Sequence, residues 1–281
     1  MGREPMFKTI RQLFSKSNTN PGLPLVGYQE HLAASGHVEQ LSDRDLQRLN
    51  DLLPWQCFTA DLQGRRFGNM AWKGKRDLPQ EIPDKRIKKL HEIFDLSNKD
   101  VLEIGCFEGI HTIGLCNYSR RVYAVDSRIE NVIKTIVRTN MFGHHPTVTV
   151  FDADSDATPP YEGHYQIIHH VGVLYHLAEP VRHLLSLRSD SLEGILLDTH
   201  YATAEMATKE YTASNGNLYR YHHFKEGGRD EVFSGMHDHA KWLTKDDLFE
   251  LLKQIGLTDV QVAADTMQRN GPRLTVFAQR R

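Results

Sequence analysis

The chain contains little cysteine, no long apolar run and no excess of charge of one sign. Its three cysteines, Cys57, Cys106 and Cys116, form neither a disulfide framework nor a zinc-binding spacing, which is typical of a reducing cytoplasm. No apolar stretch approaches the roughly 20 residues of a membrane-spanning helix. The first residues also lack an apolar signal core. We therefore expect a cytoplasmic protein with no membrane partner.

The overall charge balance does not require a nucleic-acid partner. The 281 residues include 34 Lys and Arg against 36 Asp and Glu, so no global field attracts nucleic acid. A local basic patch remains compatible with such a partner. The segment 65–76 mixes arginine and lysine with Phe67 and Trp72, a combination that stacks bases and pairs with phosphates or binds an anionic small molecule.

The most informative segment is 101–109, Val-Leu-Glu-Ile-Gly-Cys-Phe-Glu-Gly. An apolar strand ends in an acid, a loop with two glycines follows, and helix-like sequence comes next. This order lets backbone approach a ligand closely and points helix N–H groups at it. The spacing of Gly105 and Gly109 differs from that of dinucleotide-binding enzymes. The pattern resembles the first motif of class I S-adenosylmethionine-dependent methyltransferases.

Two further strands end in acids. Arg121–Asp126 is apolar before its terminal aspartate, and the strand at 147–151 precedes Asp152-Ala153-Asp154. A carboxylate at the end of the second strand is placed to accept both ribose hydroxyls of a nucleotide. The family resemblance implies that one aspartate after the third strand accepts the adenine amino group. The resemblance assigns the cofactor S-adenosylmethionine, with S-adenosylhomocysteine as product, to Glu103, Gly105, Cys106, Phe107, Gly109, Asp126, Ser127, Asp152, Ala153 and Val171.

Strands and helices alternate through the rest of the chain. Apolar segments predict strands near 101–104, 122–125, 147–151, 165–170 and 194–198, and two closing strands at 260–263 and 274–278. This alternation predicts an α/β fold with helices on both faces of a mainly parallel sheet. The closing pair resembles that of the Rossmann-like, seven-stranded methyltransferase sheet. We expect an N-terminal extension over 1–83, a methyltransferase domain over 84–281 and a lid insertion at 199–243.

A closer resemblance rests on His170-Val-Gly-Val-Leu-Tyr-His176 with Pro180 and His183 after it. This segment is similar to the fourth-strand motif of the tRNA wobble-uridine carboxymethyltransferases. Those enzymes convert 5-hydroxyuridine to uridine-5-oxyacetate with a carboxylated derivative of S-adenosylmethionine. Similarity extends to Pro54-Trp55, to Trp72-Lys73 with Arg76, and to Pro272-Arg273.

The same resemblance implies that Tyr175, Lys73 and Arg273 line the transferred group or the acceptor pocket. One position departs from the family, because Gln56-Cys57 stands where the family has a lysine that contacts the extra carboxylate. Loss of a cation that pairs a buried carboxylate removes on the order of a few kcal/mol of selectivity. We therefore expect ordinary S-adenosylmethionine and transfer of a methyl group.

Methyl transfer to oxygen or nitrogen requires positioning and, for many acceptors, a base near neutral pH. Histidine suits this role, and the chain has 16 histidines. We assign catalysis to Tyr175, His176 and His200, and acceptor binding to Trp72, Lys73, Arg273 and His222. The spacing of His237 and His239 fits no specific metal pattern, so we expect no metal.

Three functions therefore compete. The first is methylation of a small hydroxylated or anionic molecule such as a sugar or another metabolite. The second is modification of a tRNA wobble uridine by methyl or carboxymethyl transfer. The third is non-catalytic binding of S-adenosylmethionine. A homo-oligomer is compatible with each of them.

Overall fold

The computed structural model describes residues 36–69 and 78–281. Its twelve described strands are β1 Phe58–Ala60, β2 Arg66–Gly68, β3 Asp100–Ile104, β4 Arg121–Asp126, β5 Thr147–Val150, β6 Ile167–Val171, β7 Gly194–His200, β8 Lys209–Thr212, β9 Leu218–Lys225, β10 His239–Leu243, β11 Asp259–Gln268 and β12 Gly271–Gln279. The α-helices in the same ranges are α1 Asp43–Leu52, α2 Lys85–Phe94, α3 Ile110–Cys116, α4 Ile129–Met141, α5 Pro180–Ser186 and α6 Lys245–Gln254.

A seven-stranded sheet forms the centre, in the order β11-β12-β7-β6-β3-β4-β5. Strand β12 runs antiparallel to both of its neighbours, and the pairs from β7 to β5 are parallel. Strands β3 and β7 are buried along their whole length, which fits the apolar residues Val101-Leu102 and Ile195–Leu197 within them. The chain adds β4 and β5 on one side of β3, and then β6 and β7 on the other side. This topological switch point opens a crevice between the carboxyl ends of β3 and β6.

Helices cover both faces of this sheet. On one face, Leu184 of α5 and Leu248 of α6 belong to the largest apolar cluster. On the other face, Ile87 and Leu90 of α2 pack with Leu115 of α3. The predicted Rossmann-like fold is therefore confirmed, and the predicted strands match within a few residues. The largest differences are β6, which begins at 167 rather than 165, and the longer closing strands β11 and β12.

Helices α1 and α6 each begin at a side-chain cap. Ser42 Oγ accepts the N–H of Asp45 at 3.2 Å before α1, and Thr244 Oγ1 accepts that of Asp247 at 3.3 Å before α6. Each hydroxyl replaces a partner that the first helical turn cannot supply. Within 55–69 the chain forms a hairpin, because β1 pairs antiparallel with β2. The amino-acid sequence of this segment did not predict the hairpin.

The segment 199–243 contains a second sheet rather than one long loop. Its three antiparallel strands have the order β10-β9-β8. Tyr219 and Tyr221 of β9 join the main apolar cluster, and Trp242 of β10 is buried with Ala202, Ala207 and Ala240. The insertion is thus anchored on the sheet by its own apolar face. Within the described ranges, no helix has the length and hydropathy needed to cross a bilayer.

Candidate active site

A cavity of about 590 Å³ lies at the carboxyl ends of β3, β4, β6 and β7. This is the edge at which open α/β sheets bind ligands. The residues assigned to the cofactor that line the cavity are Glu103, Gly105, Cys106, Phe107, Asp126, Ser127, Asp152, Ala153 and Val171. Gly109 lies behind the cavity, where it caps α3 with a φ of 79° and faces Thr135 of α4.

The glycine loop turns sharply after β3. Gly105 has a φ of 76°, and the N–H groups of Gly105 and Cys106 both donate to the carbonyl of Val125, at 2.8 and 3.0 Å. A Cβ on Gly105 would lie 2.3 Å from Cγ2 of Val173. Both the left-handed backbone and the absence of a side chain are therefore required at Gly105. The loop lines the cavity with Gly105, Cys106 and Phe107, a position that fits the amino-acid end of S-adenosylmethionine.

Asp126 ends β4 beside this loop. Its carboxylate accepts N–H groups of Phe107 at 3.0 Å and Arg128 at 2.9 Å, and the side-chain amide of Asn131 at 3.0 Å. Burial raises the pKa of Asp126, although these hydrogen bonds oppose the rise. The carboxylate is thus held in one orientation at the wall of the cavity, where it fits the hydroxyls of a ribose.

The structure separates the roles of Asp152 and Asp154. Asp152 lines the cavity. Asp154 instead accepts the backbone N–H groups of Ala178 at 2.9 Å and Glu179 at 2.8 Å, just before α5. Of the two aspartates, Asp152 is therefore the one that faces the cavity.

Glu103 lies at the floor of the cavity and is 1% exposed. Thr112 Oγ1 donates to it at 2.5 Å, and burial raises the pKa of Glu103 to about 8. Glu103, His111 and His169 bring potential metal-ligand atoms within 4.8 Å of one another. However, an Arg86 guanidinium nitrogen lies 3.5 Å from His111 Nε2, and this positive charge disfavours a second cation there.

A chain of alternating charges lies beside the cavity, which Asp84, Arg86 and Arg273 line. Arg86 Nε contacts Asp84 at 2.8 Å and its Nη1 contacts Asp198 at 3.1 Å, while Arg273 Nε donates to Asp198 at 2.6 Å. Although burial opposes it, the two guanidinium groups lower the pKa of Asp198. The Arg273 guanidinium also lies 5.3 Å from the centre of the Tyr175 ring. Arg273 is thus held in place with its charge compensated.

The three residues assigned to catalysis meet on the other side of the cavity. Tyr175 and His176 lie on a 3₁₀ turn at Leu174–His176, directly after β6. His200 ends β7, with its ring 4.8 Å from that of Tyr175 and stacked at 4.9 Å on Trp242. Burial lowers the pKa of His200, which favours the neutral ring. All three residues line the cavity together with Arg273.

Of the four residues assigned to acceptor binding from sequence, the described part of the chain includes two, Arg273, which lines the cavity, and His222. Trp72 and Lys73 lie outside the described residues. His222 is on β9, where it pairs with Trp242 and its ring lies 5.5 Å from the indole. Because His222 is not among the described residues that line the cavity, the structure does not support an acceptor contact for it.

Sequence reasoning missed several residues around the cavity. Asp84, Arg86, Arg128 and the segment 232–236 all line it, and Glu226 contacts His176 Nδ1 at 2.8 Å. The glycines at 227, 228 and 235 mark a tight loop, but no local pattern links this loop to β6. Arg65, part of the basic segment, is instead committed to structure, because its Nε binds Asp61 at 2.7 Å.

This sheet order, with a glycine loop and strand-end acids around one cavity, defines a class I S-adenosylmethionine-dependent methyltransferase. A family model described as a methyltransferase domain matches residues 75–262. The chain belongs to this methyltransferase family, whose cofactor is S-adenosylmethionine.

Curated relatives agree with this class. The tRNA U34 carboxymethyltransferase of Shewanella loihica is 26% identical over 174 residues, which are 58% of this chain and 49% of that protein. That of Shewanella halifaxensis is 24% identical over 195 residues, 64% of this chain and 55% of that protein. The chain therefore spans about half the length of the curated relatives it matches.

Solved structures share the fold. The N-terminal domain of EvdMO1 with SAH bound superposes with a TM-score of 0.71 at 22% identity, covering 86% of this chain and 98% of that one. The same domain in the presence of SAH and D-fucose has a TM-score of 0.69 at 21% identity, with coverage of 88% and 100%. At this identity the likeness concerns the fold alone.

Proposed function

We propose that this protein transfers a methyl group from S-adenosylmethionine to an oxygen or nitrogen of a small polar acceptor. The observation that carries the proposal is one cavity with two chemically different halves. Glu103, the glycine loop, Asp126 and Asp152 form one half, and Tyr175, His176, His200 and Arg273 form the other. A volume of about 590 Å³ lies within the range of small-molecule sites.

The first half would hold the cofactor. Glu103 and the loop of Gly105 would bind its amino-acid end, Asp126 its ribose and Asp152 its adenine. The cofactor supplies an electrophilic methyl group on a sulfonium. The remaining task for the protein is to place the acceptor in line with that methyl group and to exclude water. The aromatic rings of Tyr175 and His200 suit this task, because they wall the cavity while Arg273 presents hydrogen-bond donors.

Two features favour methyl transfer over carboxymethyl transfer. Where the wobble-uridine family has a lysine, the N–H groups of Gln56 and Cys57 donate to Glu108, at 2.7 and 3.1 Å. Arg273, a cation at another position that matches the family, is already paired with Asp198. A carboxylated cofactor would therefore meet neither the family lysine nor an unpaired Arg273, and Glu108 at this place is itself paired with Lys134 and Arg138.

The second candidate is modification of a tRNA wobble uridine. The His170–His176 motif and the 24–27% identity to tRNA U34 carboxymethyltransferases favour it. Two observations favour the first candidate: the balanced charge of the chain, and the absence at Gln56-Cys57 of the lysine that would contact a carboxylated cofactor. A sugar is a reasonable first acceptor to test, since the EvdMO1 domain was crystallised in the presence of SAH and D-fucose.

The test uses methyl-labelled S-adenosylmethionine. The purified protein is incubated separately with tRNA, with the small-molecule fraction of a host extract and with D-fucose. Label in the small-molecule fraction or in D-fucose supports the proposal, whereas ribonuclease-sensitive label in tRNA supports the second candidate. Tight cofactor binding by calorimetry without label in any fraction would favour a non-catalytic binding protein. Asp126→Asn is the control, since it should lose label and cofactor binding together.

A further inference from the structure

The loop that follows β9 carries a buried carboxylate to the catalytic side of the cavity. The side chain of Glu226 is 4% exposed, and its Oε1 lies 2.8 Å from His176 Nδ1. Its Oε2 accepts the Ser234 hydroxyl and, at 3.2 Å, the N–H of Gly235. Both oxygens therefore have partners, so the carboxylate is held in one orientation.

This contact sets the proton arrangement of the imidazole. A carboxylate only accepts hydrogen bonds, so a neutral His176 carries its proton on Nδ1 and keeps Nε2 as the basic nitrogen. His176 lines the cavity, and its Nε2 has no hydrogen-bond partner among the residues the structure describes. The free lone pair is thus available to a molecule in the cavity.

The same loop is tied to the cofactor half. Arg128 Nη2 donates to the loop carbonyls of Gly228 at 3.2 Å, Glu231 at 2.9 Å and Gly235 at 3.4 Å, while its own N–H binds Asp126. Near its C-terminal end the loop packs on His176. A Cβ added to Gly235 would lie 2.1 Å from the backbone carbonyl oxygen of His176. Through these contacts the loop connects Arg128, whose backbone N–H binds the Asp126 carboxylate, with His176.

We propose that Glu226 is a positioning residue that makes His176 the general base for a neutral hydroxyl acceptor. This inference rests on the proposed function. His176 Nε2 takes the hydroxyl proton as the acceptor oxygen bonds to the methyl carbon. The carbon–sulfur bond breaks with its electron pair remaining on sulfur, which yields S-adenosylhomocysteine and a methyl ether. The imidazolium, stabilised by Glu226, then releases its proton to solvent.

A base of this kind selects the acceptor class. A carboxylate or a thiolate reacts as an anion and needs no proton removed, whereas an alcohol becomes strongly nucleophilic only as its proton leaves. The cavity therefore favours hydroxyl groups of sugars or similar polar molecules over anionic acceptors.

The first test needs no acceptor. Nitrogen-15 NMR of ring-labelled histidine, with His176→Asn to assign the signal, reports which nitrogen holds the proton. We expect Nδ1–H in the unaltered protein and a mixture of exchanging tautomers in Glu226→Gln. A proton on Nε2 of the neutral ring in the unaltered protein would overturn the proposal, whatever the enzyme methylates.

The second test measures rates of label transfer to the small-molecule fraction and cofactor affinity by calorimetry. Glu226→Gln should lower the turnover rate at least 100-fold and leave the cofactor dissociation constant within threefold. Glu210→Gln, an exposed charge removal on β8 of the same small sheet, is the matched control and should leave both unchanged. Equal rates in Glu226→Gln and the control would refute the positioning role. Absence of transfer by the unaltered protein would refute the proposed function instead, because the NMR result stands without it.

Discussion

Replacement of Gly105 by alanine tests the packing of the cofactor loop. Two costs add at this position. The φ of 76° costs an L-residue roughly 1–2 kcal/mol. The new methyl group would lie 2.3 Å from Val173 Cγ2, and overpacking of this kind costs roughly 1–3 kcal/mol. We expect Gly105→Ala to lower the free energy of unfolding by about 2–5 kcal/mol, measured by urea denaturation.

The chain offers controls that separate the two costs. Gly143 and Gly163 have φ values of 76° and 77°, but nothing lies within 4 Å of an added Cβ. Gly143→Ala and Gly163→Ala should therefore show only the backbone cost of about 1–2 kcal/mol. Val173→Ala in the Gly105→Ala background removes the clashing methyl group and should restore part of the lost stability. If Gly105→Ala proves no less stable than Gly163→Ala, the steric reasoning is wrong.

Three further predictions concern the charges of the cavity. Asp126→Asn should weaken S-adenosylmethionine binding by about 1–3 kcal/mol in calorimetry, and unchanged affinity in a folded variant would refute the ribose assignment. Burial raises the pKa of Glu103 to about 8, so the folded protein keeps a proton that the unfolded chain releases above its ordinary value of 4.5. The stability of the ligand-free protein should therefore fall between pH 4.5 and 8, by at most about 5 kcal/mol, and denaturation curves of Glu103→Gln should lack this part of the pH dependence. Asp198→Asn leaves Arg86 and Arg273 without their shared carboxylate, and we expect it to lower the free energy of unfolding by about 3–5 kcal/mol. Thr275→Val removes only one hydrogen bond to Asp198, and in the same denaturation assay it should lower the free energy of unfolding by about 1 kcal/mol.

The residues of the cofactor half could be proposed from the sequence, because the patterns that indicate them span only a few residues. Glu103 and Asp126 lie at the carboxyl-terminal ends of β3 and β4, Gly105 follows β3 directly, and parallel strands bring these ends to one edge. The structure then decided between neighbours, since Asp152 lines the cavity whereas Asp154 binds backbone N–H groups before α5.

The catalytic half was only partly readable. Tyr175 and His176 follow β6 in a recognisable motif, but Glu226 lies 50 residues beyond His176. Arg86 and Asp198, which form an ion pair beside the cavity, are 112 residues apart in the sequence. His222 is not among the described residues that line the cavity, because its cross-strand pairing places it beside Trp242 in the small sheet. Strand pairing of this kind is not readable from a local motif.

The sequence by itself determined the strand–glycine loop–helix unit, the alternation of strands and helices, and therefore the fold class and the cofactor edge. These follow from hydrophobic periodicity and turn chemistry, which act over a few residues. Only the tertiary structure decided which charges share the cavity, that the insertion folds as a sheet, and that Glu226 reaches His176. Such contacts depend on how distant segments pack, and their energies come from burial and exclusion of water rather than from any local pattern.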